Sequence, residues 1–383
     1  MKYGFLIFFS LVISLYSAVN YYIISKGLSV IPAQSPWRTV WIWGVIVLAA
    51  AFIAGRFLER AFMSPVSTIL IWVGAVWMAI VVYLLLMLLV VDLVGLLDRW
   101  FGFLPAFIHH HPLKTKQTLA VAISSVTFLL VLGGFINTRF IKVRNINLAV
   151  HKKAGKLKSL HVVAFSDVHL GTVMGERHLN RIVQTANALQ PDVILIPGDI
   201  IDEDIGPVVN SHMGSVLKTL KAKYGVYAVT GNHEYIGGVN NAKKFLSEHG
   251  VQMLNDTVVE VDHSFYVAGR EDRTKNRMGN GRKDLASLLA EVPRDKPVIL
   301  LDHQPYHLEE ARQQGVDLQL SGHTHHGQIW PFNFITKQIF ELSRGYLKKG
   351  DTHIYVSSGV GGWGPPVRTV SRPEILNIHL NFD

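Results

Sequence analysis

Five short blocks of metal-binding residue types stand in order along the second half of the 383-residue chain. They supply two aspartates, one asparagine and four histidines: Asp167, His169, Asp199, Asn232, His303, His323 and His325. Carboxylate, amide and imidazole ligands suit Mn, Fe or Zn, and the lack of any cysteine excludes thiolate sites. A single Asp-x-His pair is common by chance, whereas five ordered blocks are not. The spacing therefore predicts a centre for two divalent metal ions.

Two cations at one centre favour hydrolytic chemistry. When they lie about 3.5–4 Å apart, they need a shared anion, and a bridging carboxylate together with a hydroxide provides it. Binding to a metal lowers the pKa of water from about 15.7 towards about 7. A hydroxide nucleophile is therefore available at such a centre at neutral pH.

The blocks follow predicted strands. Apolar runs typical of buried strands end directly before them, at 160–165, 192–196, 225–230, 298–301 and 318–320. Segments with helical periodicity follow each of the first three strands, at 176–190, 208–221 and 240–249. Because open α/β sheets bind ligands beyond the carboxyl ends of their strands, we expect the blocks to meet at one edge. Glycines beside them, such as Gly198 and Gly231, allow close backbone approach.

The first 138 residues have the composition of a membrane domain. They contain only three acidic residues, Glu59, Asp92 and Asp98. Four apolar stretches are long enough, at about 1.5 Å per residue, to cross a hydrocarbon core of about 30 Å: 4–24, 39–58, 67–91 and 118–137. Residues 2–18 could instead form a cleaved signal peptide, although the apolar run continues beyond them. The sequence thus predicts a membrane domain over 1–138 with about four transmembrane helices.

Lysine and arginine in the loops favour a cytoplasmic position for both ends of this domain. We therefore expect an integral protein of a bacterial inner membrane, with residues 159–383 forming a cytoplasmic domain. Residues 139–158 read as a basic juxtamembrane linker, which serves as a topology signal or attracts anionic headgroups. The net charge of +9 is spread over both halves, and neither has the basic density of a nucleic-acid binder.

Residues 160–383 resemble the calcineurin-like metallophosphoesterase family, and in particular its membrane-anchored branch. The resemblance is carried by all five blocks: Asp167-Val168-His169, Gly198-Asp199, Gly231-Asn232-His233-Glu234, His303 and Gly322-His323-Thr324-His325. It implies a C-terminal α/β domain, a two-sheet β-sandwich flanked by helices, behind the all-α transmembrane region. It also implies a dinuclear hydrolase of phosphate ester or pyrophosphate bonds, in which a metal-bridging hydroxide attacks phosphorus.

Carried over to this chain, the resemblance implies two metal sites. One is formed by Asp167, His169, Asp199 and His325, and the other by Asp199, Asn232, His303 and His323. Asp199 would thus be the bridging carboxylate. The other histidines, such as His178, read as ordinary polar residues.

Two residues beside the ligands are implied to act in catalysis. His233 would protonate the leaving-group oxygen or steady the transition state, and Asp202 would orient it. For Asp202 a helix N-cap is the structural alternative. Glu234 reads as a structural or supporting residue.

Three further features concern the substrate. His326 stands where the branch usually has glycine, and it would contact the substrate or face solvent. Arg368, at the end of a glycine-rich tail, would grip a phosphate in bidentate fashion. The basic segment 269–283 is either a solvated loop or a mobile lid over a phosphate-bearing substrate.

The membrane domain makes a phospholipid or lipid-linked nucleotide an attractive substrate, and the branch resembles UDP-diacylglucosamine pyrophosphatases. Two alternatives stay open. One is a broad phosphodiesterase or phosphomonoesterase acting on soluble esters. The other is a noncatalytic, metal-binding membrane scaffold, which would need ligands but no leaving-group acid such as His233. Nucleic-acid binding is not expected, and the sequence does not indicate an oligomeric state.

Overall fold

The computed structural model describes residues 2–277, 279 and 281–383, with the side chains of residues 2–6 and 8 outside the description. By their internal contacts the residues divide into two compact units, Met1–Gly134 and Phe135–Asp383. The described residues of the N-terminal region form five helices: α1 (Lys2–Leu28), α2 (Trp37–Ala61), α3 (Pro65–Phe101), α4 (Ala106–His110) and α5 (Pro112–Asn137).

Three helices of the described part, α2, α3 and α5, are long and apolar enough to cross a membrane by length and composition. They cover the predicted spans 39–58, 67–91 and 118–137. The first predicted span, 4–24, falls in α1, where several side chains lie outside the described residues. That span stays a prediction.

The N-terminal unit exposes apolar side chains and packs small residues inside. Ile46 and Phe57 on α2 are exposed, whereas Gly74 of α3 lies so close to Phe52 that a Cβ atom there would collide with its backbone. The buried Trp77 indole donates to Asn20 Oδ1 at 3.0 Å. Close approach at small residues with apolar residues outside is typical of helices that pack within lipid.

The C-terminal unit contains twelve strands and nine α-helices among the described residues. The strands are β1 (Lys142–Val150), β2 (Ser159–Ala164), β3 (Val193–Pro197), β4 (Val226–Val229), β5 (Gln252–Met253), β6 (Thr257–Val261), β7 (Phe265–Gly269), β8 (Val298–Leu301), β9 (Leu318–Ser321), β10 (Gly345–Lys349), β11 (Thr352–Val356) and β12 (Glu374–Phe382). The helices are α6 (Glu176–Ala188), α7 (Gly206–Asn210), α8 (Met213–Leu217), α9 (Asn232–Gly237), α10 (Val239–Glu248), α11 (Thr274–Arg277), α12 (Leu285–Leu288), α13 (Leu308–Gln313) and α14 (Phe332–Ile339).

The strands form two six-stranded sheets that pack face to face. The first has the order β1-β12-β2-β3-β4-β5, and the second has the order β10-β11-β9-β8-β7-β6. Strands β2 to β5 run parallel to one another, as do β7, β8 and β9. Leu160 and Leu195 of the first sheet share one buried core with Phe265 and Ile299 of the second. This confirms the predicted two-sheet α/β architecture.

Helices cover the outer faces of both sheets. On the first sheet, α6 buries Leu179, Ile182 and Val183, which recur at helical spacing and pack into the second core cluster. On the second sheet, α12 and α13 pack Leu285 and Ala311 against Leu300. The rigid layers leave the loops at the strand ends free to carry polar side chains.

Two segments differ from the sequence-based expectation. Residues 142–150 lie in the expected linker, but they form β1, paired in parallel with β12. The basic residues there suggest an exposed linker, yet Leu148 and Val150 point into the core at the period of a strand and Arg144 pairs with buried Glu374 at 3.0 Å. The helix expected at 208–221 is instead two short helices, α7 and α8, divided at His212, whose φ is +53°.

Candidate metal centre

The predicted ligands lie in loops that follow strands of both sheets. Asp167 and His169 come after β2, Asp199 after β3 and Asn232 at the start of α9 after β4. The second sheet contributes the loops after β8 and β9, which carry His303, His323 and His325. Ligand atoms within 4.8 Å of one another form three groups: Asp167 with His169 and His325, His169 with Asp199 and His233, and Asp199 with His303 and His323. The structure thus brings the seven predicted ligands to one place.

The first group has the geometry of an ion site. The Nε2 atoms of His169 and His325 face each other at 3.0 Å. His325 Nε2 lies 3.6 Å from an oxygen of Asp167, and His169 Nε2 lies 3.8 Å from one of Asp199. Two imidazole lone pairs and two carboxylates that converge in this way fit a cation between them.

The group of Asp199, His303 and His323 is arranged around His303. Its Nδ1–H donates to the carbonyl of Pro197 at 2.8 Å, which leaves Nε2 facing the centre. That Nε2 atom is buried without a hydrogen-bond partner, 3.1 Å from Asp199 Oδ2. Asn232 Oδ1 and His323 Nδ1 lie 2.8 Å apart beside it. An orphaned nitrogen next to a carboxylate is the arrangement that a second cation would complete.

The electrostatics of the centre favour bound cations. Burial lowers the pKa of His169 to about 3 and that of His323 to about 4, so these imidazoles are neutral at pH 7 and free to bind a metal. Burial opposes a charge on His303 as well, but the Asp199 carboxylate outweighs it and raises the pKa of His303 well above its usual value. The carboxylates therefore draw positive charge into the position where the second cation would lie.

Five of the seven predicted ligands have left-handed backbone conformations. The φ angles are +54° for Asp167, +51° for His169, +51° for Asp199, +72° for His323 and +45° for His325. Such conformations are uncommon for residues other than glycine and cost about 1–3 kcal/mol each. Strain that is repeated at one place is typical of a functional site, because the surrounding fold must hold it there.

Glycines at this edge leave room for the ligands. A Cβ atom on Gly231 would collide with the carboxylate of Asp199, and one on Gly322 would collide with Asp167 and Ser166. These two positions require glycine because ligand side chains from neighbouring loops pass directly over the backbone.

Glu234 ties two of the ligand loops together. Its buried carboxylate accepts hydrogen bonds from the backbone N–H of Ile200 at 2.7 Å and of Ile201 at 2.9 Å. It also accepts from Asp199 at 3.2 Å and from Gly231 at 2.7 Å. The loop after β3 is thereby fixed to the start of α9. A glutamate at the third position of a helix is the sequence signal for such a cap, and it was available in Gly231-Asn232-His233-Glu234.

His233 and Asp202 lie together at the mouth of the centre. His233 Nδ1 lies 3.1 Å from Asp202 Oδ1, and its ring meets that of exposed Trp363 at 5.9 Å. Burial would lower the pKa of His233, but the hydrogen bond to Asp202 and the charge of Asp199 raise it to about 9. His233 also belongs to one ligand group with His169, so the geometry permits it to bind a metal as well.

The structure places Arg368 behind the centre. Its guanidinium is 1% exposed and donates to the carbonyls of Ser358 at 2.7 Å and Gly361 at 2.6 Å. It lies 3.0 Å from His325 Nδ1. With these partners the side chain has no open face towards a substrate, so it supports His325 from behind. The sequence gave no signal for this supporting role, because Arg368 and His325 lie 43 residues apart in the chain.

The structure places the other two predicted substrate features, His326 and the basic segment 269–283, in different surroundings. His326 is half-buried, and its Nδ1 atom lies 2.9 Å from Ser343 Oγ, so its contact with a substrate stays a prediction. In the described part of the basic segment 269–283, Arg270 and Arg282 bind Asp302 at 3.1 and 2.8 Å. These ion pairs anchor the segment to the loop that follows β8, which speaks against a freely moving lid.

Comparisons with known proteins identify the family of the C-terminal unit. The family model for calcineurin-like phosphoesterases matches residues 160–327. An uncharacterized metallophosphoesterase of Helicobacter pylori is 34% identical over 58% of this chain and 60% of its own length. A transmembrane protein with metallophosphoesterase domain from Danio rerio is 33% identical over 69% of this chain and 63% of its own length.

A third relative, an uncharacterized metallophosphoesterase of Aquifex aeolicus, is 33% identical over 64% of this chain and 94% of its own length. The chain thus spans about 60% of the length of the Helicobacter and Danio relatives and nearly the whole Aquifex protein. The residues matched by the family model, 160–327, include all the ligand-bearing loops. The chain belongs to the calcineurin-like phosphoesterase family.

Proposed function

We propose that this chain is a membrane-anchored, dinuclear metal-dependent hydrolase of phosphate esters or pyrophosphates. The observation that carries the proposal is the position of the Asp199 carboxylate, whose Oδ2 atom lies 3.8 Å from His169 Nε2 on one side and 3.1 Å from His303 Nε2 on the other. Asp199 would bridge the two ions. Asp167, His169 and His325 would complete one site, and Asn232, His303 and His323 would complete the other.

The chemistry of the ligands restricts which metal ions the centre can bind. Four imidazoles, two carboxylates and one amide are too rich in nitrogen for Mg²⁺ or Ca²⁺, and they suit Mn, Fe or Zn. When bound, the pair of ions would supply Lewis acidity at the phosphoryl oxygens and activate water at neutral pH.

His233 would act on the leaving group. With its Nδ1–H held by Asp202, the Nε2 atom is left to meet the substrate, and the raised pKa of about 9 keeps a proton on the ring at pH 7. Donation of that proton to the departing oxygen would contribute about 10²–10⁴-fold to the rate. Asp202 is the positioning residue, since it fixes the tautomer and the orientation of the ring.

Residues 1–138 would be the membrane domain, and residues 159–383 together with β1 would be the catalytic domain, on the cytoplasmic side of a bacterial inner membrane. The apolar helices α2, α3 and α5 support the anchoring. A membrane anchor favours a phospholipid or lipid-linked nucleotide as substrate. Hydrolysis of soluble mono- and diesters is the alternative within the same chemistry.

The test uses the full chain purified in detergent and loaded with Mn, Zn or Fe. We expect hydrolysis of aryl phosphate esters. The variant Asp199→Asn should lose metal and activity together, whereas His233→Ala should keep its metal and lose about 10²–10⁴-fold in turnover. His263→Ala, at a side chain 95% exposed on the β6–β7 turn, is the matched control and should behave as wild type.

Two results would contradict the proposal. A metal-loaded chain that hydrolyses no ester would indicate the noncatalytic scaffold, and an unchanged rate in His233→Ala would remove the leaving-group role. Hydrolysis profiling against extracted membrane lipids and lipid precursors then separates lipid-linked from soluble substrates.

A further inference from the structure

Helix α14 has the reverse of the polarity expected for a surface helix. Two of its polar residues face the protein, since Asn333 is buried and Thr336 half-buried, while Lys337 and Gln338 are exposed. Its apolar residues point outwards: Phe332, Phe334, Ile335 and Ile339, together with the preceding Trp330, are 40–57% exposed. A helix in contact with water normally places these two classes the other way round. The outer face of α14 is therefore suited to an apolar surrounding.

The composition of this face matches the interface of a lipid bilayer. Tryptophan and phenylalanine are enriched at the level of the headgroups, and aliphatic side chains enter the acyl boundary beside them. Clustered large apolar residues on a soluble surface commonly mark a protein or membrane contact site. The five exposed side chains of the α14 face lie within ten consecutive residues, 330–339.

The charges at the border of this face favour an anionic partner. Lys337 is exposed on α14 itself, and half-buried Arg344 follows five residues after the helix ends. Among the residues that the structure describes, neither cation has an acidic partner. The nearby acid Glu341 is already paired with Lys349 at 2.6 Å. Unpaired cations beside exposed aromatic residues complement the phosphates of anionic lipids.

We propose that α14, with Trp330, is an interfacial helix that seats the C-terminal unit on an anionic lipid bilayer. The apolar face would lie about 5–10 Å into the boundary between headgroups and acyl chains. Lys337 and Arg344 would meet lipid phosphates. The proposal rests on the membrane anchoring proposed above, and it does not depend on the proposed hydrolysis.

The seating would bring the metal centre to the lipid surface. Gly327 packs so closely on α14 that a Cβ atom there would collide with the backbone of Phe332 and Asn333. Gly327 stands two residues after His325, so α14 is joined directly to a ligand loop. Gln328 continues this connection by donating to the carbonyl of Trp363 at 3.0 Å, beside His233. A seated α14 would therefore place the mouth of the centre next to the headgroup layer.

The experiment uses the full chain in vesicles, and the lack of native cysteine allows one spin label at a time. Ile335→Cys reports on the α14 face, and Lys244→Cys, 77% exposed on α10, is the matched control. Flotation with phosphatidylcholine–phosphatidylglycerol vesicles first confirms that each labelled protein is membrane-anchored. Power-saturation EPR then compares collisions of each label with oxygen, which concentrates in lipid, and with a water-soluble nickel chelate.

We expect the ratio of oxygen to nickel collisions at position 335 to exceed that at position 244 several-fold. In the Ile335→Cys background, Lys337→Gln should lower the ratio of protein with α14 on the bilayer to protein with α14 in water about fivefold. This factor is the contribution of one basic residue near an anionic surface. Equal ratios at the two positions would show an aqueous α14 and overturn the proposal. A label at 335 shielded from both reagents would also overturn it, because a protein surface or a second copy would then cover the face. Loss of flotation would instead count against the anchoring.

Discussion

His178 makes the stability of the C-terminal unit depend on pH in a predictable way. This buried residue of α6 donates from Nε2 to the carbonyl of Val360 at 3.0 Å, and its Nδ1 atom faces the guanidinium of Arg181 at 3.4 Å. A proton on Nδ1 would therefore point at a group that can only donate. Burial, with the neighbouring arginine charges, lowers the pKa of His178 to about 4 from 6.5.

The direction in which stability changes with pH follows from the lowered pKa of His178. Above pH 6.5 the imidazole is neutral in both the folded and the unfolded chain, and its full contribution to stability is present. As the pH falls from 6.5 to about 4, the unfolded chain binds a proton that the folded chain does not, so stability is lost. Between pH 8 and pH 5 the loss is about 2 kcal/mol, at about 1.4 kcal/mol per pH unit. For a unit of this size that corresponds to about 4–8 °C in melting temperature.

The assay compares thermal unfolding of wild type and His178→Gln, both free of metal and in the same detergent, from pH 8 to pH 5. Glutamine can still donate to Val360 but does not titrate in this range, so the stability difference between the two proteins should narrow by about 2 kcal/mol. Other groups titrate equally in both proteins and cancel. His263→Gln should keep the wild-type response. A wild-type-to-variant difference that stays constant with pH would refute the reasoning.

Three other perturbations have defined outcomes. Arg368→Gln should destabilise the chain by about 2–4 kcal/mol in thermal unfolding, because buried carbonyls lose charge-assisted donors, and it should weaken metal binding through His325. A chelator that removes the metal should lower the free energy of unfolding by about 2.7 kcal/mol, compared with protein in which free metal is present at 100 times its dissociation constant. An unchanged melting temperature would argue against a metal site in the folded state. Gly322→Ala should reduce the metal content measured by elemental analysis, because the added methyl group meets Asp167.

Much of the centre could be predicted because its information is local. Each ligand follows a short apolar run, and strand ends in an α/β sheet meet at one edge whatever the loops between them do. Asp167, Asp199 and His303 were therefore placed near one another by their strands alone. The pairing of His233 with Asp202 was implied by the family resemblance, and the structure places their Nδ1 and Oδ1 atoms 3.1 Å apart.

Features that depend on long-range contacts could not be predicted. Arg368 reads as an exposed residue of a glycine-rich tail, and only the folded chain shows its carbonyl partners. The charges of the 269–283 segment suggest a solvated loop, whereas Arg270 and Arg282 form ion pairs with Asp302, which directly follows β8. The left-handed ligand conformations are equally invisible, because neighbouring loops impose them and no local signal favours them in aspartate or histidine beyond a weak tolerance.

The place of β12 sets the order in which the protein is assembled during synthesis. This strand, residues Glu374–Phe382, lies between β1 and β2 in the first sheet, although it is the last strand of the chain. While the ribosome is still adding the preceding residues, β2 lacks its antiparallel neighbour and Asp167 lacks a stable support. The metal ligands all emerge earlier than β12. We therefore expect the metal ions to be captured only once β12 has been made and has paired with β2.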